Sequence, residues 1–113
     1  MLSAPGNARI FLCRQPVSMR RSFDGLAGAC RDLMGLSPVT GDSFVFLGKS
    51  RRIVKILRWE GDGFAIWSKR LERGQFNPRR REDGSCEIDL RELHMLLDGV
   101  RPARLYRRYG ASE

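Results

Sequence analysis

The sequence predicts an α+β domain: an antiparallel sheet of four to five strands, one main helix packed on it, and a shorter helix near the C-terminus. Three observations lead there. Short apolar runs bounded by Gly, Pro, Asn and Asp recur along the chain, as strands do. Two segments change to a helical period. The connections between the central runs are short, which suits an antiparallel meander.

The elements follow in order. Arg9-Ile-Phe-Leu-Cys13 is an apolar run between Gly6-Asn7 and Pro16, and reads as the first strand. Phe23, Leu26, Ala27, Cys30, Leu33 and Met34 then recur at the spacing of one helical stripe. Ser18 serves as the expected N-cap and Gly35 as the C-terminal stop. Gly25 and Gly28 inside this helix each cost up to about 1 kcal/mol relative to Ala. They mark either a close approach by another element or tolerated weak positions.

Ser37-Pro-Val-Thr-Gly41 is a loop, and Asp42-Ser-Phe-Val-Phe-Leu47 a strand. Gly48-Lys-Ser-Arg-Arg52 is a basic turn. The strands Ile53 to Trp59 and Phe64 to Lys69 flank Glu60-Gly-Asp-Gly63, whose residues tolerate the positive φ that hairpin turns demand. Asn77 to Gly84 is polar and expected on the surface. Cys86-Glu-Ile88 reads as a short edge strand. Asp89-Leu-Arg-Glu92 has the spacing of a capping box. Leu90, Leu93, Leu97 and Val100 then form the second helix, stopped by Gly99 and Pro102. Residues 1–100 are expected to form a single domain, and 101–113 a flexible basic tail.

Composition narrows the function. A chain of 113 residues is one domain with one modest core. Twenty-one Lys and Arg against thirteen Asp and Glu give +8 at pH 7, a surplus that favours polyanions. Cys13, Cys30 and Cys86 have neither metal-ligand spacing nor an even count, so they read as reduced thiols of a cytoplasmic protein. Cys30, on the apolar helical stripe, acts as a small hydrophobe. No apolar run approaches the roughly 20 residues of a membrane span, and no signal peptide is indicated.

Catalysis finds little support in the residues. The single histidine, His94, has no Ser or Cys partner at a nucleophile elbow, and reads as structural. Gly48-Lys49-Ser50 resembles the end of a phosphate-binding loop, but the upstream glycine spacing is wrong. A two-metal nuclease would need carboxylates such as Asp24, Asp42, Glu60, Asp62 and Glu72 to converge, and nothing in their spacing brings them together. No cofactor, metal site or catalytic residue is therefore assigned.

Nucleic-acid binding is better supported. Lys49, Arg51, Arg52, Lys55 and Arg58 fall in a window without acids. Lys69, Arg70, Arg73, Arg79, Arg80 and Arg81 follow with Glu72 among them, and the tail adds Arg101, Arg104, Arg107 and Arg108. In a meander the first two groups can merge into one patch on adjacent strands and turns. The assigned nucleic-acid-binding residues are Arg51, Arg52, Lys55, Arg58, Lys69, Arg70, Arg73, Arg79, Arg80 and Arg81. Trp59, Phe64, Trp67 and Phe76 interleave with this charge and are expected mainly in the core. From Glu82 to Asp98 the balance reverses: six acids face one base, Arg91.

Several blocks also resemble a known family. They are Met19-Arg-Arg-Ser-Phe-Asp-Gly-Leu26, Gly41 with Phe44-Val-Phe46, Lys55-Ile-Leu57 with Trp59, Asp62-Gly-Phe64, Lys69-Arg-Leu-Glu-Arg-Gly-Gln-Phe76, and Leu96-Leu-Asp-Gly99. In this order they are similar to the small accessory proteins encoded by the second reading frame of IS66-type insertion sequences, the TnpB type. The Lys-Arg-Leu-Glu-Arg-Gly-x-Phe block with its upstream Trp is the most specific piece. Two positions depart from the family pattern: Ser18 where the family has Asp, and Glu60 where it has Asp. The resemblance implies a non-catalytic accessory protein for DNA transposition, working beside a larger transposase that holds the catalytic carboxylates. The implied partners are the transposase and other proteins of the same element, and the basic excess adds DNA, hypothesised as the ends of the insertion sequence. The alternatives are a protein-only adaptor bridging transposase subunits and, further off, a metal-dependent nuclease.

Overall fold

A computed structural model describes residues 7–79 and 86–99. The element order is β1 (Ile10–Leu12), α1 (Phe23–Met34), β2 (Ser43–Leu47), β3 (Ile53–Trp59), β4 (Phe64–Arg70), β5 (Glu87–Ile88) and α2 (Leu90–Asp98). The five strands form one sheet in the order β4-β3-β2-β1-β5. The expected meander is present as β2, β3 and β4, in the register Phe44 to Leu57 and Leu57 to Ile66. One pairing differs from the purely antiparallel expectation: β1 runs parallel to β2. The intervening helix carries the chain back along the sheet, and such a return is what parallel neighbours require.

Strand alternation builds two cores. Phe11, Phe44, Phe46 and Leu57 point to one face and pack with Leu26, Ala27, Ala29 and Cys30 of α1. Leu12, Val45, Leu47, Val54 and Ile56 point to the other, where they meet Leu93, Leu96 and Leu97 of α2. β2 lies in the middle and is buried throughout. Its Ser-Phe-Val-Phe-Leu run therefore has no polar face. Phe76, beyond β4, is fully buried in the second core, which anchors the chain after the hairpin. The two helices thus cover opposite faces of the sheet.

Helix boundaries follow local chemistry. α1 begins after Ser22, four residues later than Ser18. Ser18 instead holds a preceding turn: its hydroxyl accepts from the Arg20 N–H at 3.2 Å and its carbonyl from the Arg21 N–H at 3.1 Å. Gly35 ends the helix at φ 66°, the left-handed conformation that a glycine adopts without a Cβ clash. At α2 the capping box is complete. The Asp89 carboxylate accepts from the Glu92 N–H at 2.7 Å, and the Glu92 carboxylate reaches back to the Asp89 N–H. The buried stripe of α2 is Leu93, Leu96 and Leu97. Leu90, expected inside, is 54% exposed in the first turn of the helix. Val100 and the expected basic tail lie outside the described residues.

Candidate nucleic-acid interface

The topology gathers loops at one end of the sheet. The parallel strands β1 and β2 both exit there, β4 exits there too, and β3 and β5 begin there. Three basic segments therefore converge: the β1–α1 loop, the β2–β3 turn and the chain after β4. Backbone and side-chain bonds tie them together. The Leu71 N–H donates to the Arg52 carbonyl at 2.8 Å, and the Phe76 N–H to the Arg51 carbonyl at 2.7 Å. The Gln75 side-chain amide donates to the Ser50 carbonyl at 3.0 Å, and Arg52 donates to the carbonyls of Leu71 and Glu72. On the other flank, the Val17 N–H donates to the Leu47 carbonyl at 3.0 Å. Gly48 lies so close to Met19 that a Cβ there would stand 2.7 Å from the Met19 Cγ. Arg14 donates to the Arg79 carbonyl at 2.9 Å, joining the first and third segments.

Charge is sorted along the strand direction. The exit end carries Arg14, Arg20, Arg21, Lys49, Arg51, Arg52, Arg70, Arg73 and Arg79, all exposed. Among the described residues the three converging segments hold one acid, Glu72, 3.0 Å from Arg70, with Asp24 and Asp98 on the adjoining helix ends. At the opposite end stand Asp42, Glu60, Asp62 and Asp89. The Asp42 carboxylate there accepts from the Arg9 N–H at 2.8 Å and from the Thr40 hydroxyl at 2.7 Å. Cations brought together by loop convergence raise the local potential more than the same charges dispersed over the surface.

The sequence-assigned basic residues divide accordingly. Arg51, Arg52, Arg70, Arg73 and Arg79 share the exit end. Arg80 and Arg81 lie outside the described residues. Lys55 and Lys69 are half-buried on opposite faces of the sheet. The Lys55 ammonium donates to the Arg21 carbonyl at 2.9 Å, holding the loop before α1. The Lys69 ammonium donates to the Leu97 carbonyl at 2.8 Å, in the last turn of α2, where a cation suits the helix dipole. Arg58 is paired with Glu60 at 2.7 Å, with only 14% of its side chain exposed. These three cations are engaged within the fold and are less exposed than those of the exit end. Arg14, Arg20 and Arg21, absent from the assigned set, join it. Only the parallel return of the chain brings them there, and no local sequence pattern carries that information.

The aromatics are arranged differently from the charge. Trp59 and Phe64 meet edge to face at 5.0 Å across the hairpin, near the acidic end. Phe64 adjoins the α1-side core and Trp67 the α2-side core. Cys13 and Cys30 belong to the interior, and Cys86 is partly buried. Burial raises the Cys13 pKa, and pushes that of Cys30 up to about 12. All three cysteines are free. Among the described residues, no three or more His, Cys, Asp or Glu side chains are grouped to hold a metal ion. Asp24 and Glu72 lie at or beside the exit end, whereas Asp42, Glu60 and Asp62 lie at the other. No described helix is long and apolar enough to cross a membrane.

Fold and charge together define a small mixed-sheet domain with a helix on each face and a basic loop end. A family model described as IS66 Orf2 like protein matches residues 8–107, so the chain belongs to that family. It is a transposition-associated accessory protein. Two relatives come from Sinorhizobium fredii. The uncharacterized protein y4hO is 33% identical over 100 residues, covering 88% of this chain and 87% of the relative. The uncharacterized protein y4jC is 30% identical over 108 residues, covering 96% and 92%. No solved structure matches the chain.

Proposed function

We propose that the protein binds DNA of its insertion sequence through the basic exit end of the sheet, as a non-catalytic factor acting beside the transposase in the cytoplasm. The observation that carries this reading is the convergence of three cation-bearing loops on one end, with Glu72 their one acid among the described residues. Arginines dominate, and their planar forks suit bidentate contact with phosphate and guanine. The test is an electrophoretic shift with element-end DNA against random DNA, run over a salt series with and without transposase. Contact with about six phosphates gives a slope of log K on log salt near −5. A slope near zero, or no shift at low salt, would sink the reading.

A second reading, a protein adaptor, draws on the outer face of α2, where Leu90 and Met95 are 54% and 58% exposed beside acidic side chains. It predicts that capture of the transposase survives replacement of Arg51, Arg52, Arg70 and Arg73 by Ala. Replacement of Leu90 and Met95 by Ser would abolish that capture.

A further inference from the structure

The helical stripe expected to be buried has one member outside. Phe23, the first residue of α1, is 46% exposed, whereas Leu26, Ala27 and Cys30 of the same stripe are buried. It is the one aromatic among the large exposed apolar side chains of the described residues. Its setting is cationic. Arg20 and Arg21 immediately precede it, and both are exposed. The Arg21 stem lies across Gly25, where an added Cβ would stand 3.0 Å from the Arg21 Cβ. Its guanidinium donates to the Gly25 carbonyl at 3.2 Å. The Lys55 ammonium fixes the Arg21 carbonyl from β3. The backbone that presents Phe23 is thus braced from the sheet, and the ring stands beside the basic end.

A phenyl ring set among exposed arginines has a specific use. Duplex DNA offers phosphates to the arginines, but its bases are already stacked on one another. An unpaired nucleotide offers both a phosphate and a free base face, and the aromatic ring can take the base face. We infer that Phe23 is a stacking platform for an unpaired base, and that the basic end takes nucleic acid with unpaired nucleotides, such as a frayed or nicked element end. This inference rests on the nucleic-acid reading above and names the substrate form of that same site.

The test measures Kd by fluorescence anisotropy for three labelled DNAs of equal length: single-stranded, fully duplex, and duplex with a short unpaired end. The proteins are wild type, Phe23→Ala, Phe23→Trp and Arg20→Ala/Arg21→Ala, each checked for an unchanged thermal midpoint. The expected result is a loss of about 5- to 150-fold for Phe23→Ala on the two DNAs with unpaired bases. Duplex binding should stay unchanged, and Phe23→Trp should restore affinity. The Arg20→Ala/Arg21→Ala protein should weaken on all three DNAs. Unchanged Phe23→Ala affinity for unpaired DNA overturns the inference, and if the arginine variant still weakens binding, the nucleic-acid reading survives it. Equal losses on duplex and unpaired DNA likewise overturn it. No wild-type binding to any DNA overturns both. If Phe23→Ala leaves all DNA affinities intact but loses capture of the transposase, the ring is a protein contact and the inference fails.

Discussion

Arg51 is the only described non-glycine residue with positive φ, at 59°. The left-handed conformation costs an ordinary L-residue about 1–2 kcal/mol. Here the loop bonds enforce it: the Arg51 N–H donates to the Gly48 carbonyl at 3.0 Å, and its own carbonyl accepts from Phe76. A glycine at this place would relieve the strain and remove a cation together. Arg51→Gly is therefore expected to keep or raise stability by up to about 1 kcal/mol in urea melts, while weakening DNA binding at low salt. Lost stability would show that the Arg51 side chain supports the fold. Cys30 provides a second residue-level test. Its thiol is shifted from about 9 to about 12 by burial, so between those pH values the folded chain keeps a proton that the unfolded chain releases. Stability should then fall as pH rises through that window, and it is unaffected by this group below it. In Cys30→Ala the decline should be shallower; an identical decline would mean that the thiol plays no part.

At the level of elements, much of the architecture was legible because local chemistry determines it. The capping box at Asp89, the Gly35 stop and the Glu60–Gly63 turn were read from single residues whose preferences have one cause each. The parallel pairing of β1 with β2 was not, since a helix-bearing return depends on packing of the whole sheet. Nor was the engagement of Lys55 and Lys69, which reach carbonyls 34 and 28 residues away along the chain. The two helical glycines, identical in sequence terms, separate in space. Gly25 is covered by the Arg21 stem, whereas a Cβ on Gly28 would meet nothing within 4 Å. Gly28→Ala should raise stability by about 0.5–1 kcal/mol, through helix propensity and a less flexible unfolded chain. Gly25→Ala, tight against Arg21, should gain less or lose. A thermal or urea comparison of the two variants decides this, and equal gains would show that the Arg21 stem yields freely.

Across the whole molecule, the surplus of +8 could attract polyanions in two ways. Net charge alone would act from any direction, and any cation removed would count alike. A polarised domain would bind through its exit end, and only cations there would displace condensed counterions. Two double variants separate these cases while lowering the net charge equally, from +8 to +6. One removes Lys49 and Arg51 from the β2–β3 turn, as Lys49→Gln/Arg51→Gly. The other removes Arg9 and Arg31, at the start of β1 and in the last turn of α1, as Arg9→Gln/Arg31→Gln. Each phosphate contact contributes about 0.9 to the salt slope, so the first variant should be shallower than wild type by about 2. The second should retain the wild-type slope and lose affinity only modestly, because exposed charges beyond a Debye length of about 8 Å are largely screened at physiological salt. Equal slopes and equal losses in both variants would assign binding to net charge and remove the basis for an oriented interface.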